Sequence, residues 1–283
     1  MTESMTAQVL RYAAFTDNGT GGNPAGVVLD AAGIDERRRL SIAAEIGYSE
    51  TAFVERAAVP GRFTMRYFSP RAEVGFCGHA TIATAVAIAE RDGAGIFRFD
   101  TTVGEVVVRT SADESGVRAT LTSVPTHTRP AADEELASAL AALGYTDADL
   151  DPSYPPHVAF AGNDHLVLAL RDRAQLAALD YDYPALDRLM AQQRWTTVHL
   201  VWAEDAVTFH ARDPFPPGGV VEDPATGAAA AAFGGYLREL DLVPLPARIT
   251  ILQGADMGRP SRLLVEVDTG DGGVDVTGTA API

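Results

Sequence analysis

The sequence predicts an α+β chain of two similar domains, each a barrel-like curled sheet around a central helix. Three observations predict it. Residues 81–90 and 230–239 are rich in alanine and apolar on most sides, the pattern of buried helices. Short apolar or alternating stretches surround both, as strands do. The order of these elements repeats once along the chain.

The repeat can be followed element by element. Gly22-Asn23 precedes Val27-Val28-Leu29, and Gly162-Asn163 precedes Val167-Leu168 at the same spacing, each a turn feeding a strand. Helical segments follow at 35–47 and 173–193, then strands at 51–54 and 197–202. Strands at 63–68 and 207–211 lead into the proline turns Ser69-Pro70 and Asp213-Pro214. Each half then reaches a glycine-containing helix start, Cys77-Gly78-His79 in the first and Thr226-Gly227-Ala228 in the second. Strands at 248–252 and 262–267 flank the turn "QGADMGRPSRL". This organisation gives an N-terminal domain of residues 1–115 and a C-terminal domain of 116–267. Residues 268–283, with strand-like alternation after a glycine-rich turn, return to complete the first sheet. A cleft between the domains is expected to hold the two helix N-termini.

Composition limits the function classes. The chain has 283 residues, of which 47% are hydrophobic and 21% charged, and a net charge of −16. That acidity argues against nucleic acid or an anionic membrane as partner. A single cysteine excludes an intramolecular disulfide framework and a cysteine-based zinc site. The start "MTESMTAQVLRYAAF" lacks the basic opening and long apolar run of a signal peptide, so a cytoplasmic protein is expected. The turn "FTDNGTGGNPAG" is neither a dinucleotide fingerprint nor a phosphate loop.

Chemistry concentrates at the two helix starts, where free backbone N–H groups favour negative charge. Cys77 and His79 stand at the first, and read either as acid or nucleophile with its partner, or as a small buried residue beside a first-turn polar one. They lack a third donor and do not make a metal site. Asp223, before Pro224 at the second, reads as a functional carboxylate or as one favoured by the helix dipole, with Thr226 as a candidate cap. The position matching Cys77 holds Thr226, whose hydroxyl is a far weaker acid than a thiol. His127, His157, His165, His199 and His210 show no ligand spacing and read as structural. Arg259 reads equally as an anion contact or a turn residue.

"GNPAGVVL" (22–29), "YSETAFV" (48–54), "YFSPRAEVGFCGHATIATA" (67–85), "VEDPATGAAAA" (221–231) and "QGADMGRPSRL" (253–263) together resemble the PhzF family, the phenazine-biosynthesis isomerase-like proteins. That family shares the fold of diaminopimelate epimerase and proline racemase. The resemblance implies a catalytic glutamate at Glu50, with His79 and Asp223 as further site residues. It implies no metal and no organic cofactor, and commonly a homodimer. A serine that follows the aspartate motif in the phenazine-pathway isomerase is replaced by Ala228.

The function so implied is a cofactor-independent isomerase of a small carboxylate-bearing metabolite. Glu50 moves the proton in the inter-domain cleft. Backbone N–H groups at Gly78-His79 and Gly227-Ala228 bind the substrate anion. An epimerase, racemase or dehydratase on a similar substrate is the alternative, favoured by Cys77. A non-catalytic small-molecule-binding protein is a third reading, which would have no need of Glu50.

Overall fold

A computed structural model of the chain describes residues 8–114 and 116–283. The chain divides into two compact units, residues 1–121 with 277–283, and residues 122–276. The start of the stretch read for a signal peptide, residues 1–7, and the expected boundary residue 115 lie outside the described residues.

The first unit contains β1 (Leu10–Ala14), β2 (Asn23–Val28), α1 (Glu36–Ile46), β3 (Thr51–Arg56), β4 (Arg62–Phe68), β5 (Glu73–Val74), α2 (Gly78–Asp92), β6 (Ile96–Thr101), β7 (Gly104–Asp113) and β8 (Gly116–Thr122). Strand β8 pairs antiparallel with β7, so the division falls after Leu121 rather than at 115. The second unit follows with β9 (His127–Pro130), α3 (Asp133–Leu143), β10 (His157–Phe160), β11 (Asp164–Ala169), α4 (Arg173–Ala177) and α5 (Tyr183–Gln193). It continues with β12 (Trp195–Ala203), β13 (Thr208–Pro214), β14 (Glu222–Asp223), α6 (Gly227–Glu239), β15 (Ala247–Gln253) and β16 (Ser261–Val267). The last strand, β17 (Asp275–Pro282), pairs with β1 at Ala14↔Ala280 and also with β8.

The first unit is therefore a closed barrel, in the order β17-β1-β2-β3-β4-β6-β7-β8 and back to β17. Closure removes unpaired sheet edges. Its pairings β2–β3 and β4–β6 are parallel, each bridged by a helix. Residues 79–89 of α2 are all buried, as expected of a helix that is apolar around its circumference. It packs against β1, β2, β3 and β7. In the second unit the strands run β9-β10-β11-β12-β13-β15-β16, and α6 is buried from Ala229 to Leu237.

Side-chain alternation on β11 and β12 splits the second unit's interior into two layers. Leu166, Leu168, Val198 and Leu200 join a core with Leu140, Leu143, Leu176, Leu186, Met190 and Trp195. The intervening His199 faces α6, its ring 5.3 Å from that of Phe233. Helix α3 has no counterpart in the sequence-level repeat. The expected helix over 173–193 is two helices, because Asp182 caps α5 by accepting from the Ala185 N–H and Pro184 occupies its first turn. Proline there fits a helix start and cannot continue α4.

A fully buried polar chain crosses the second unit. The His165 Nδ1 donates to Thr197 Oγ1 at 2.8 Å, which donates to Asp213 Oδ1 at 3.0 Å, and His199 Nδ1 lies 3.0 Å from the same carboxylate. All four side chains are 0% exposed. Burial pushes the His165 imidazole down from 6.5 to about 3, with the neighbouring His199 adding to it. The folded imidazole thus binds its proton later than the unfolded one as pH falls. Stability is intact above 6.5 and is lost progressively from 6.5 toward about 3. Within that window His165→Asn, which keeps a donor to Thr197, should flatten the acid limb by up to about 1.4 kcal/mol per pH unit. Urea unfolding at a series of pH values measures it, and parallel acid limbs for the two proteins would refute it.

Candidate active site

The first motif positions the second. Glu50 immediately precedes β3, and its carbonyl accepts a hydrogen bond from Gly26 N–H at 3.1 Å. A Cβ on Gly26 would lie 2.5 Å from Thr51 Oγ1, so only glycine lets β2 run this close to β3 at that point. Two residues earlier on β2, the Pro24 carbonyl accepts a hydrogen bond from the His79 ring. The stretch read from sequence as a turn feeding a strand is thus the backbone template for both Glu50 and His79.

Cys77 is the N-cap residue of α2, with extended φ −145°, and makes no side-chain capping bond. Its carbonyl is pinned by Thr81 Oγ1 at 2.7 Å, which in turn accepts from the Tyr67 hydroxyl at 2.7 Å. Its side chain meets the other two. Cys77 Sγ is 3.5 Å from Glu50 Oε2 and 3.4 Å from His79 Nδ1. His79 Nε2 is 3.4 Å from Glu50 Oε2. Cys77 and His79 are buried at 8% and 7% exposure, while the Glu50 side chain keeps 17%, so the carboxylate is the member that solvent and small molecules reach. Burial holds the His79 imidazole below its ordinary 6.5, against the opposing pull of Glu50 and of the Pro24 carbonyl.

The second helix start is built differently. Thr226 is the N-cap residue of α6, but its hydroxyl makes no capping bond and instead donates to Asp223 Oδ2 at 2.7 Å. Gln253, 1% exposed, clamps the segment: its amide nitrogen donates to the Asp223 carbonyl at 2.7 Å, and its amide oxygen accepts from Thr226 N–H at 3.0 Å. Gly254 beside it has φ +74°, and a Cβ there would lie 2.3 Å from the Arg259 carbonyl oxygen and 2.7 Å from that of Pro224. The "QG" of the turn motif is therefore a support for Asp223. Arg259 itself sits in the turn between β15 and β16.

Register makes the repeat exact enough to compare positions. Glu73 and Glu222 open β5 and β14, each four residues before its N-cap, and pair with Phe68 and Pro214. Counting back, Thr51 faces Phe68, and the β12–β13 register (Leu200↔Arg212) sets Val198 opposite Pro214. Glu50 thus corresponds to Thr197, Cys77 to Thr226 and His79 to Ala228. Asp223 corresponds to Val74, so His79 and Asp223 occupy matching ends of the two repeats at different positions of the register. Each repeat also holds an arginine–glutamate pair at matching places, Arg66–Glu73 and Arg212–Glu222, bracing the strand that leads to the helix. These pairs were missed from sequence because the turn inside the second is longer, carrying the single 3-10 turn of residues 216–218.

A family model described as phenazine biosynthesis-like protein matches residues 12–283. The chain belongs to the phenazine biosynthesis-like, or PhzF, family. It is 32% identical over 263 residues to trans-2,3-dihydro-3-hydroxyanthranilate isomerase of Pseudomonas aeruginosa, with 90% of this chain and 88% of that protein covered. It is 29% identical to an uncharacterized isomerase of Bacillus subtilis, covering 97% and 96% of the two chains. The crystal structure of a PhzF-family protein of Bacillus anthracis matches with a TM-score of 0.87 at 26% identity, covering 97% of this chain and 96% of that one. The enzyme class follows from these relatives: the protein is a PhzF-like isomerase. No helix among the described residues is long and apolar enough to cross a membrane.

Gln253→Ala removes the clamp and leaves the half-buried Thr226 N–H without its acceptor. It should destabilise the fold by about 1–3 kcal/mol, read as a lower urea midpoint with an unchanged slope. An unchanged midpoint would show that the clamp contributes nothing.

Proposed function

We propose that the protein is a cofactor-independent isomerase of a small carboxylate-bearing metabolite, with Glu50 as the proton carrier. The observation that carries this reading is the Glu50–His79 contact of 3.4 Å at the start of α2. A carboxylate there is partly exposed to substrate, backed by a buried imidazole, and adjacent to a helix N-terminus. Glu50 takes the C–H proton and returns it to another carbon on the same face, which shifts a double bond. The negative charge that builds on the substrate is stabilised by first-turn N–H groups at Gly78-His79 and Gly227-Ala228, since neither N-cap side chain makes a capping bond. His79 orients a polar group of the substrate. Asp223, set by Thr226 and Gln253, binds an amino or hydroxyl group.

The likeness to trans-2,3-dihydro-3-hydroxyanthranilate isomerase supports a related hydroxylated, carboxylate-bearing substrate. Ala228 supplies no hydroxyl at the helix start, so the substrate is one that does without that donor. We propose further that the two units are the two halves of a diaminopimelate epimerase-like fold.

One observation favours an epimerase-type reading in second place: Cys77 Sγ lies 3.5 Å from Glu50 Oε2, within reach of the same substrate carbon. Two variants separate the readings. With trans-2,3-dihydro-3-hydroxyanthranilate or a close analogue as substrate, Glu50→Gln should lose roughly 10²–10⁴ in kcat, the contribution of a placed general base. Cys77→Ala should lose much less, because Thr226 at the matching position cannot serve as a second acid. Full loss in Cys77→Ala with an active Glu50→Gln would transfer the chemistry to the thiol.

A further inference from the structure

We infer that Glu50, Cys77 and His79 form a binding site for a thiophilic divalent cation of the Zn²⁺ class, whose occupancy blocks the isomerase site. From sequence, Cys77 and His79 had no third donor. The fold supplies it in Glu50, and one donor atom from each residue lies within 4.8 Å of the others.

The distances fit one ion. Cys77 Sγ, His79 Nε2 and Glu50 Oε2 are separated by 3.7, 3.4 and 3.5 Å. Tetrahedral zinc, with bonds of about 2.3 Å to sulfur and about 2.0–2.1 Å to nitrogen and oxygen, sets its donors roughly 3.3–3.6 Å apart. The spacing of the three atoms suits one ion, and because Cys77 Sγ lies closer to His79 Nδ1, at 3.4 Å, than to Nε2, the His79 ring turns on binding to aim a nitrogen lone pair at the ion. The donor set of thiol, imidazole and carboxylate selects a borderline-soft ion such as Zn²⁺ over Mg²⁺ or Ca²⁺, which take oxygen.

The surroundings fit as well. On binding, the Sγ–H bond breaks and its proton goes to solvent, so Zn²⁺ meets one thiolate, one carboxylate and one neutral ring. The site is then electrically neutral, which suits two donors exposed by 8% or less. Glu50 leaves the entry side open, and a fourth position stays available for water.

The site itself does not depend on the catalytic reading, whereas inhibition rests on Glu50 being the base. The experiment uses the untagged full-length chain, stripped of metal, with Co²⁺ and Zn²⁺ as probes. We expect one equivalent of Co²⁺ per chain to give a thiolate-to-cobalt charge-transfer band with tetrahedral visible bands, and one equivalent of Zn²⁺ to abolish both. Cys77→Ser should lose the charge-transfer band, and Glu50→Gln and His79→Ala should each weaken Zn²⁺ binding by at least about 100-fold, beyond the usual loss for an outer-contact mutation. His210→Ala, which alters the surface His210–Glu204 pair, should bind as the wild type does. Because Cys77 is the chain's one cysteine, Zn²⁺ should also slow alkylation of the unmutated protein, a reading that no folding defect can confuse. Absence of the band in the wild type, its persistence in Cys77→Ser, or unprotected alkylation at saturating Zn²⁺ overturns the site. Zn²⁺ binding without loss of turnover upholds the site and removes Glu50 as base.

Discussion

The contact between Glu50 and the buried His79 is what the first unit is organised to hold. A carboxylate and an imidazole 3.4 Å apart would ordinarily attract as an ion pair. Burial opposes that by disfavouring the charged ring, and it outweighs the carboxylate's pull. The outcome is a neutral imidazole against a partly exposed acid, with the thiol of Cys77 as a third neighbour. Such a cluster keeps its geometry only if the backbone beneath it is fixed. The fixing comes from β2, whose Gly26 N–H and Pro24 carbonyl hold the two residues from one strand. Barrel closure through β17 and the buried helix α2 then hold β2.

The second unit spends the matching position in another way. Where the first has Glu50, it has Thr197, sealed inside the chain from His165 to Asp213 and His199. A buried carboxylate is costly unless its lone pairs are met, and Asp213 meets them with a hydroxyl and an imidazole. The Nε2 atoms of both histidines find no such bond, so this unit carries its polar strain in the interior, away from a helix start. The carboxylate proposed to bind substrate, Asp223, sits on the following strand, three residues before the N-cap. The two units thus share local scaffolding, down to the paired Arg66–Glu73 and Arg212–Glu222 braces, and differ in chemistry. A pair of equivalent acids on the two halves is not available to this chain.

Much of the scaffold was legible because local rules point one way. Alanine-rich stretches behind Gly78 and Gly227 could only be buried helices, and alternation after Gly273 marked a returning strand. Helix α1 could be bounded to the residue, with Asp35 capping its start and Gly47 in a left-handed conformation at its end. The break between α4 and α5 was readable in Asp182 and Pro184 but was overridden by the length of the helical pattern. Glu50 was not legible from periodicity, since a lone acid before a strand resembles any other; only likeness to a family singled it out. Gln253 and the third donor beside Cys77 were invisible for a shared reason. Each is a contact between residues distant in sequence, and no local pattern encodes it.

The central claim is that Glu50 and His79 interact while burial keeps the imidazole neutral. NMR titration of His79 in ring-labelled protein tests it most directly, in the wild type and in Glu50→Gln. The account predicts a wild-type His79 that protonates below the ordinary histidine range, and lower still in Glu50→Gln, because the carboxylate that favours its charged form is gone. A His79 that titrates in the ordinary range, or one unmoved by the loss of Glu50, would contradict it.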